Sequence, residues 1–222
     1  MNKNYKKIGL LGGSFNPLHI GHLRLCVEML EQAGLDEVQL VPAYNPPHKN
    51  ISNILPFEMR CSIIEQAIEN SPGISLNRLE KKRTGPSYTY DMLSNFKMEN
   101  PDSSPAFIMG DNDLLTMPHW YRGAEILRLS DLLIVGREGC GMDQVHDFIL
   151  NFWPAHQKGK TSWSIEGGND IRYFSVPRLD LSSSLVRSRW LESKCIDWLM
   201  PPSGVRILNH FFNEIESTWR KS

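Results

Sequence analysis

Short, continuously apolar runs alternate with amphipathic helical patterns along most of this chain. Runs such as Ile8–Leu11 and Leu132–Val135 contain no polar side chain. Such runs are typical of parallel strands that helices cover on both faces. After the first run, Leu23, Val27 and Leu30 recur at the spacing of one helix face. This alternation predicts an α/β fold with a parallel sheet and helices on both faces.

The same patterns predict where the elements lie. Strands are predicted at Ile8–Leu11, Val38–Val41, Ile74–Leu76, Phe107–Met109, Leu132–Val135 and Arg172–Val176. Helices are predicted at Ile20–Ala33, Phe57–Ile68 and Ser87–Met98, and two more close the chain from about residue 183. The glycine-containing stretch at about 139–170 is predicted to be an irregular insertion with one short helix near Val145–Leu150. At ~150 residues per domain, 222 residues predict a single domain over 1–222.

Charge and composition exclude several classes of protein. Lys and Arg total 24 and Asp and Glu total 25, so the formal net charge of −1 argues against a nucleic-acid partner. No apolar run approaches the ~18 residues of a membrane span, which argues against a membrane partner. The cysteines lie far apart without metal-ligand spacing, which is typical of free thiols in the cytoplasm: Cys26, Cys61, Cys140 and Cys195. We therefore expect a soluble cytoplasmic protein that is an enzyme or a binding domain, and its oligomeric state is left open.

The segment Gly12–His22 joins the first predicted strand to the first predicted helix. Ligands of open parallel sheets bind beyond the carboxyl ends of the strands, so this turn is well placed for one. Its two adjacent glycines allow the backbone to approach a ligand closely. His19 and His22 lie three residues apart at a helix start, whose positive end attracts phosphate groups. The segment predicts a phosphate-binding turn.

A purely structural role and two familiar phosphate-binding motifs fit this segment less well. An isolated His-x-Gly-His pair could equally cap or decorate a helix, but its place after a glycine-rich turn favours a functional role. The glycines Gly9, Gly12 and Gly13 do not fit the dinucleotide-binding pattern, and no Gly-Lys-Ser/Thr follows them. The turn is therefore neither a standard dinucleotide fingerprint nor a Walker loop.

Segments from about residue 8 to residue 208 match, in order, those of a known enzyme family. They are Gly12–His22, Val41–Ala43, Pro46–Lys49, Arg83–Thr89, Leu115–Trp120, Val135–Arg137 and Leu181–Arg187. With them the chain resembles the bacterial nicotinate-nucleotide adenylyltransferases. The His-x-Gly-His motif alone would indicate only the nucleotidyltransferase superfamily, whereas the Gly85–Thr89 segment is more discriminating.

The resemblance implies a Rossmann-like fold of the nucleotidyltransferase type. It also implies that Mg²⁺–ATP and nicotinate mononucleotide give nicotinate adenine dinucleotide and pyrophosphate, a step of NAD biosynthesis. The mononucleotide phosphate would attack the α-phosphorus of ATP directly, so the protein would supply positioning and charge stabilisation. Mg²⁺ would enter with ATP, held mainly by phosphates and water, and no metal site of protein side chains is expected.

The resemblance further implies a role for individual residues. Catalytic roles fall to His19, His22 and Arg187, the last offering a planar fork to the triphosphate. ATP-binding roles fall to Gly12, Gly13, Ser14, Phe15, Gly110, Asn112, Ser183 and Ser184. Binding of nicotinate mononucleotide falls to Asn16, Lys49, Ser87, Tyr88, Thr89, Trp120 and Arg137.

Two of these roles have a specific physical basis. Trp120 would pack on the pyridine ring, because a cationic pyridinium over an indole gains ~0.5–2 kcal/mol. Ser87 follows a Gly-Pro pair and is predicted to be the N-cap of a helix. The backbone N–H groups of Tyr88 and Thr89 would then face the nicotinate carboxylate.

Position 112 departs from the family pattern, which has an aspartate eight residues before the tryptophan. Asn112 stands there, between Asp111 and Asp113. An asparagine still accepts a hydrogen bond from a ribose hydroxyl, but it brings no charge. Which of the three residues fills the role is left open.

Two alternative functions also stay open. The chain could prefer nicotinamide mononucleotide or another small phosphate acceptor, or it could be a non-catalytic nucleotide-binding regulator. The presence of His19, His22 and Arg187 argues against a regulator. Pyrophosphate release with each candidate acceptor distinguishes the three.

Overall fold

The computed structural model describes residues 5–47, 51–136, 141–177 and 179–220. The strands are β1 (Lys6–Gly13), β2 (Glu37–Pro42), β3 (Ile74–Leu76), β4 (Ser103–Gly110), β5 (Asp131–Gly136), β6 (Ala155–Gly159), β7 (Ser162–Ile165) and β8 (Asp170–Ser175). The α-helices are α1 (Ile20–Ala33), α2 (Phe57–Ile68), α3 (Thr89–Glu99), α4 (Asp111–Thr116), α5 (Met142–Phe152), α6 (Ser183–Leu191), α7 (Pro202–His210) and α8 (Phe212–Trp219).

The strands form an eight-stranded sheet in the order β3-β2-β1-β4-β5-β8-β7-β6. The neighbours β1, β4, β5 and β8 pair in parallel. The continuously apolar runs lie in these strands, and the predicted α/β fold is confirmed. At one edge β8, β7 and β6 pair antiparallel, so the sheet is mixed rather than wholly parallel as predicted.

This antiparallel edge corrects the prediction of an irregular insertion at 139–170. Over its described residues that stretch holds α5 and the β6–β7 hairpin. In β7, Trp163 and Ile165 are buried and alternate with half-buried serines, whereas most of β6 is exposed. A hairpin at the edge of a sheet, with one face exposed to solvent, carries few apolar residues. Its sequence therefore lacks the continuous apolar run that is typical of a strand buried on both faces.

The chain divides into two compact units, each built on its own apolar cluster. Unit 1 comprises Met1–Gly12, Glu28–Val38 and Tyr88–Arg178. Its fully buried side chains include Leu10, Phe96, Leu132, Leu133, Ile134, Val145, Ile149, Trp163 and Ile171. These residues come from the sheet and from α3 and α5.

Unit 2 comprises Gly13–Val27, Gln39–Ser87 and Leu179–Ser222. Within it, α2 packs against α7. Its buried side chains include Leu18, Leu25, Cys61, Ile63, Ile64, Val186, Leu208, Ile215 and Trp219. Trp190 of α6 contacts Trp219 edge-on, with ring centroids 5.2 Å apart, so the C-terminal helices pack as one cluster.

Three helices close the chain where two were predicted. The apolar pattern Val205, Leu208, Phe212 and Ile215 is continuous in sequence, yet Phe211 separates α7 from α8 as the cap residue of both helices. Phe212 then contacts the ring of Trp190 at 4.8 Å. The interruption between α7 and α8 thus accompanies packing of Phe212 on Trp190. The spacing of apolar residues in the sequence does not reveal such a long-range contact.

The predicted free thiols are confirmed for the cysteines that the structure describes, namely Cys26, Cys61 and Cys195. Burial raises the pKa of Cys26 to about 12 and that of Cys61 to about 11. Cys140 lies outside the described residues. In the described part of the chain, no helix is both long enough and apolar enough to span a membrane.

Candidate active site

The first turn (Gly13–Pro17) leads from the end of β1 to α1 in unit 2. Phe15 has a φ of +44°, which is unusual for a residue with a side chain, and it is 2% exposed. A Cβ on Gly13 would lie 3.1 Å from the Phe15 ring. The second glycine of the motif therefore makes room for the ring that packs beneath it.

The two motif histidines meet directly after this turn. Their rings stack with centroids 3.7 Å apart, and Phe15 contacts His22 edge-on at 5.0 Å. The His22 Nδ1 accepts the backbone N–H of His19 at 3.2 Å. The uncharged His22 ring therefore carries its proton on Nε2, which becomes a hydrogen-bond donor. A Cβ on Gly21 would lie 3.0 Å from the His19 ring, which explains the glycine between the two histidines.

The start of α6 packs on the first turn. Ser182 caps this helix by accepting the Leu185 N–H at 3.1 Å, and the Ser183 hydroxyl donates to the Pro17 carbonyl at 2.8 Å. Arg187 donates from Nη1 to the Asn16 carbonyl at 2.8 Å and from Nη2 to the Ser184 hydroxyl at 3.1 Å. Half-burial lowers the pKa of the Arg187 guanidinium.

The structure thus brings the cationic side chain of Arg187 and the N-terminus of α6 to the first turn, directly before the paired histidines. These predicted residues share unit 2: Gly13, Ser14, Phe15, His19, His22, Ser183, Ser184 and Arg187. Donors of this kind around a turn can bind a polyphosphate.

Asn16, predicted to bind the mononucleotide, is 3% exposed. Its Nδ2 donates to the Asn53 carbonyl at 2.8 Å, and its Oδ1 accepts from the Leu55 N–H at 3.0 Å and from Trp219 Nε1 at 3.3 Å. These contacts tie the first turn to residues distant in sequence. They assign Asn16 a structural task, and its contact with the acceptor stays a prediction.

Arg60 of α2 was missed by the sequence analysis. It is 1% exposed and donates to the carbonyls of Leu55, Ser14 and Ala43. The available signal was its position on the apolar face of α2, three residues after Phe57 and four before Ile64. Arginine is almost never fully buried without a partner, so that position called for a functional hypothesis.

The predicted N-cap at Ser87 is wrong. Helix α3 begins at Thr89, and Tyr88 is its N-cap without a side-chain hydrogen bond. Ser87 instead pairs with Asn45, since its hydroxyl accepts the Asn45 N–H at 2.9 Å and its own N–H donates to the Asn45 carbonyl at 2.8 Å. These two hydrogen bonds occupy both the hydroxyl and the backbone N–H of Ser87. The first backbone N–H of the helix is therefore that of Thr89.

Trp120 lies in unit 1, after a short 3₁₀ turn that follows α4. Its Nε1 donates to the Thr116 hydroxyl at 2.9 Å, which fixes the indole against α4. Tyr88 stacks on Tyr121 with ring centroids 4.8 Å apart. The segment that starts α3 is thereby tied to the residue that follows Trp120.

The structure separates the roles of the three candidates at 111–113. Asp111 is 3% exposed, and its Oδ1 accepts the Asn112 N–H at 2.8 Å. Asn112 and Asp113 are exposed at the start of α4, directly after Gly110. Asn112 is therefore accessible to a ligand at the position where the family pattern has an aspartate, and its ribose contact stays a prediction.

Comparisons with known proteins identify the family. The cytidylyltransferase-like family model matches residues 10–189. A probable nicotinate-nucleotide adenylyltransferase from Pelobacter propionicus is 37% identical over 203 residues, covering 88% of this chain and 92% of that protein. The chain belongs to the nicotinate-nucleotide adenylyltransferases. The Bacillus subtilis nicotinate-nucleotide adenylyltransferase is 33% identical over 196 residues, covering 88% of this chain and 92% of that protein.

As a nicotinate-nucleotide adenylyltransferase, the chain is an enzyme of the nucleotidyltransferase class, which confirms the family expected from its motifs.

Solved structures support the fold. A Plasmodium falciparum nicotinic acid mononucleotide adenylyltransferase complexed with NaAD has a TM-score of 0.71 and 20% identity, covering 93% of this chain and 96% of that one. A putative nicotinate-nucleotide adenylyltransferase from Vibrio parahaemolyticus has a TM-score of 0.60 and 20% identity, covering 98% and 97%.

Two predicted binding residues of this family member, Lys49 and Arg137, lie outside the described residues. Their roles stay predictions. Gly12, a predicted ATP-binding residue, is the last residue of the first segment of unit 1. A Cβ at Gly12 would lie 3.6 Å from the Phe107 ring, an ordinary contact distance. The structure therefore gives Gly13, rather than Gly12, a steric reason to be glycine.

Proposed function

We propose that this chain transfers AMP from Mg²⁺–ATP to nicotinate mononucleotide and releases pyrophosphate. The observation that carries the proposal is the cluster at the first turn, where stacked His19 and His22 stand beside the α6 start and Arg187. Family membership supports nicotinate mononucleotide as the acceptor, since the relatives are named nicotinate-nucleotide adenylyltransferases.

In this reaction a phosphate oxygen of the mononucleotide attacks the α-phosphorus of ATP. One new phosphorus–oxygen bond forms, the bond between the α-phosphorus and its bridging oxygen breaks, and pyrophosphate leaves with that electron pair. The chain needs no covalent intermediate, because both reactants are brought together and the negative charge is stabilised by fixed donors.

The donors of unit 2 suit the triphosphate. His22 offers Nε2–H because its Nδ1 is held by the His19 backbone. Ser183 and Ser184 stand at the positive end of α6. Arg187 adds a charged fork whose position is set by the Asn16 carbonyl. Mg²⁺ enters with ATP as part of the substrate, coordinated by phosphates and water.

The residues of unit 1 suit the acceptor and the nucleoside. Trp120 presents an indole held by Thr116, against which a pyridinium ring can pack. The start of α3 at Thr89 offers backbone N–H groups to a carboxylate. We assign Asn112 to a ribose hydroxyl, which an exposed amide can bind without charge.

A pyrophosphate-release assay tests the proposal. The purified chain is mixed with Mg²⁺–ATP and, in turn, nicotinate mononucleotide, nicotinamide mononucleotide or no acceptor. We expect release with the nicotinate acceptor and formation of the dinucleotide. ATP binding without release for any acceptor would instead support a non-catalytic regulator, and higher efficiency with the amide would support the other transferase.

Replacing Arg187 by lysine keeps the charge and loses the planar fork. Because the two Nη groups of Arg187 contact different partners, Asn16 and Ser184, one ammonium cannot reproduce both bonds. We expect kcat/KM for ATP to fall by ~10-fold or more, as loss of a charge-assisted hydrogen bond of ~1.5–3 kcal/mol predicts. Steady-state kinetics at varied ATP measures this.

Arg189→Lys is the matched control, because Arg189 lies on the same helix and donates to the Cys195 carbonyl instead. We expect it to leave ATP kinetics unchanged. Equal kinetics for the Arg187→Lys variant and the unmodified chain would identify Arg187 as a structural residue.

Trp120→Ala should weaken binding of the acid and amide mononucleotides together, because both carry a cationic pyridinium with a similar face. Loss of this contact, at ~0.5–2 kcal/mol, corresponds to roughly 2- to 30-fold in acceptor KM. Acceptor KM values for both mononucleotides give the measurement. Trp198→Ala, which removes an indole that is 84% exposed, serves as the control. A change confined to one acceptor would contradict the packing role.

A further inference from the structure

The buried side chain of Arg60 donates three hydrogen bonds to backbone carbonyls, and none of the roles proposed above accounts for them. Its Nε donates to the Leu55 carbonyl at 2.9 Å, its Nη1 to the Ser14 carbonyl at 2.7 Å, and its Nη2 to the Ala43 carbonyl at 2.9 Å. These acceptors come from the loop before α2, the first turn and the residue after β2. One side chain thus joins three segments that are separate in sequence.

Arg60 is a buried cation that donates its hydrogen bonds to backbone carbonyls. Among the described residues, no carboxylate forms an ion pair with it, and its guanidinium carbon lies 5.5 Å from the centroid of the Phe57 ring. Burial lowers the pKa of Arg60 to about 10, so it stays charged at neutral pH. Burying a charged guanidinium without a carboxylate partner costs free energy, so an arginine at this position calls for a reason.

The bond to Ser14 sets the direction of a peptide group. In a trans peptide the C=O and the following N–H point opposite ways. Because the Ser14 carbonyl faces Arg60, the N–H of Phe15 points away from it. The Gly13 carbonyl accepts the Ala43 N–H at 2.8 Å, so the N–H of Ser14 likewise points away from β2. Consecutive N–H groups that point away from these carbonyl partners are in an orientation in which such groups can donate hydrogen bonds to an anion.

The Arg60–Ser14 hydrogen bond also affects the two histidines, because Phe15 lies between them and Ser14 in a series of contacts. Holding the Ser14 carbonyl fixes the peptide that precedes Phe15, whose φ is +44°. The Phe15 ring in turn contacts His22 edge-on at 5.0 Å, and His22 stacks on His19 at 3.7 Å. Loss of the Arg60–Ser14 hydrogen bond would release both the peptide group before Phe15 and the ring that contacts His22.

We propose that Arg60 is a positioning residue for the triphosphate of ATP, acting through the Ser14 and Ala43 carbonyls on the first turn and on His22. This inference rests on the proposed function for the identity of the nucleotide. It predicts that Arg60 controls ATP binding and use while leaving affinity for the acceptor unchanged. Replacing a residue that merely stabilised the fold would not weaken ATP binding while leaving acceptor affinity unchanged.

The test combines binding and kinetics on Arg60→Lys and Arg60→Ala. Displacement of ~1 Å at a positioning group costs ~10²-fold, so we expect kcat/KM for ATP to fall by about that factor. Affinity for a non-hydrolysable ATP analogue, measured by calorimetry without acceptor, should fall as well, with acceptor KM unchanged. Millimolar methylguanidinium should partly restore ATP affinity to Arg60→Ala, whereas methylammonium should not.

Arg78→Ala is the matched control. Arg78 lies near α2 on the surface, pairs with Glu58 and Glu65, and contacts none of the first-turn carbonyls in the described structure. We expect it to alter stability only. Unchanged ATP affinity in folded Arg60 variants, or equal losses for ATP and acceptor, would overturn the proposal.

A measurement on the unmodified chain covers the case in which neither Arg60 variant folds. With ¹⁵N-labelled protein, addition of the ATP analogue should shift the amide resonances of Ser14 and Phe15, and no shift would overturn the proposal. Failure of the proposed function is a separate result. It would show as absent pyrophosphate release by the unmodified chain, whereas the calorimetry reads ATP binding alone.

Discussion

The His22→Ala variant should lose ~10²–10³-fold in kcat, the range observed when one preorganised donor to a developing negative charge is removed. The reason is the ring's fixed orientation. His22 Nδ1 is held by the His19 N–H, so Nε2–H is the donor that the ring can offer to the phosphates, and alanine provides no replacement. Pyrophosphate release at saturating ATP and acceptor measures kcat.

The fold should survive this change, because His22 is only half-buried and its ring packs on the surface of the first turn. Thermal unfolding within a few degrees of the unmodified chain verifies this. The control is His156→Ala, which removes an exposed histidine from β6 and should keep full turnover. Near-normal kcat in a folded His22→Ala variant would disprove the phosphate role.

Nicotinate mononucleotide should be preferred over nicotinamide mononucleotide by at least ~10²-fold in kcat/KM. Helix α3 has eleven residues, and its N-cap Tyr88 makes no side-chain hydrogen bond to the backbone N–H groups at the start of the helix. A carboxylate supplies both charge and acceptors to that positive end. An amide would turn its NH₂ toward those donors or lose a contact, and an unpaired buried donor alone costs ~1–3 kcal/mol.

A proline at position 89 tests the origin of this preference. Thr89 is the first residue of α3, where proline is well tolerated, and Tyr88 before it is extended, with φ −83° and ψ 137°. Thr89→Pro therefore keeps the helix and removes one N–H donor. We expect the acid-to-amide ratio of kcat/KM to fall toward one, while Thr89→Ala, which retains the N–H, keeps it. Equal efficiency with both acceptors in the unmodified chain would refute the argument.

The helix-start argument depends on a correction. Serine after a Gly-Pro pair is a strong N-cap signal by local preference, but Ser87 pairs with Asn45, 42 residues away. That pairing satisfies its hydroxyl and its N–H together, so the helix starts two residues later. The predicted carboxylate-binding role does not depend on the serine, because it needs only backbone N–H groups, and it stays a prediction.

The local features of this chain were determined by its sequence. The continuously apolar runs became the parallel strands, because residues buried on both faces must all be apolar. Helix α1 spans Ile20–Ala33 as predicted. His19 and His22 meet at its start, because residues three apart on a helix lie on one face. These features depend on neighbours within a few residues, which a sequence pattern records.

Only the tertiary structure decided what surrounds the first turn. Trp219 reaches Asn16 across 203 residues, and Arg60 reaches Ser14 across 46. Their partners are an asparagine oxygen and a backbone carbonyl, and the carbonyl is a group that every residue possesses, so neither contact leaves a distinctive spacing in the sequence. The motif predicts which residues would meet the phosphates, and those roles stay predictions, whereas the shape of the turn depends on long-range hydrogen bonds from Arg60 of α2 and Trp219 of α8.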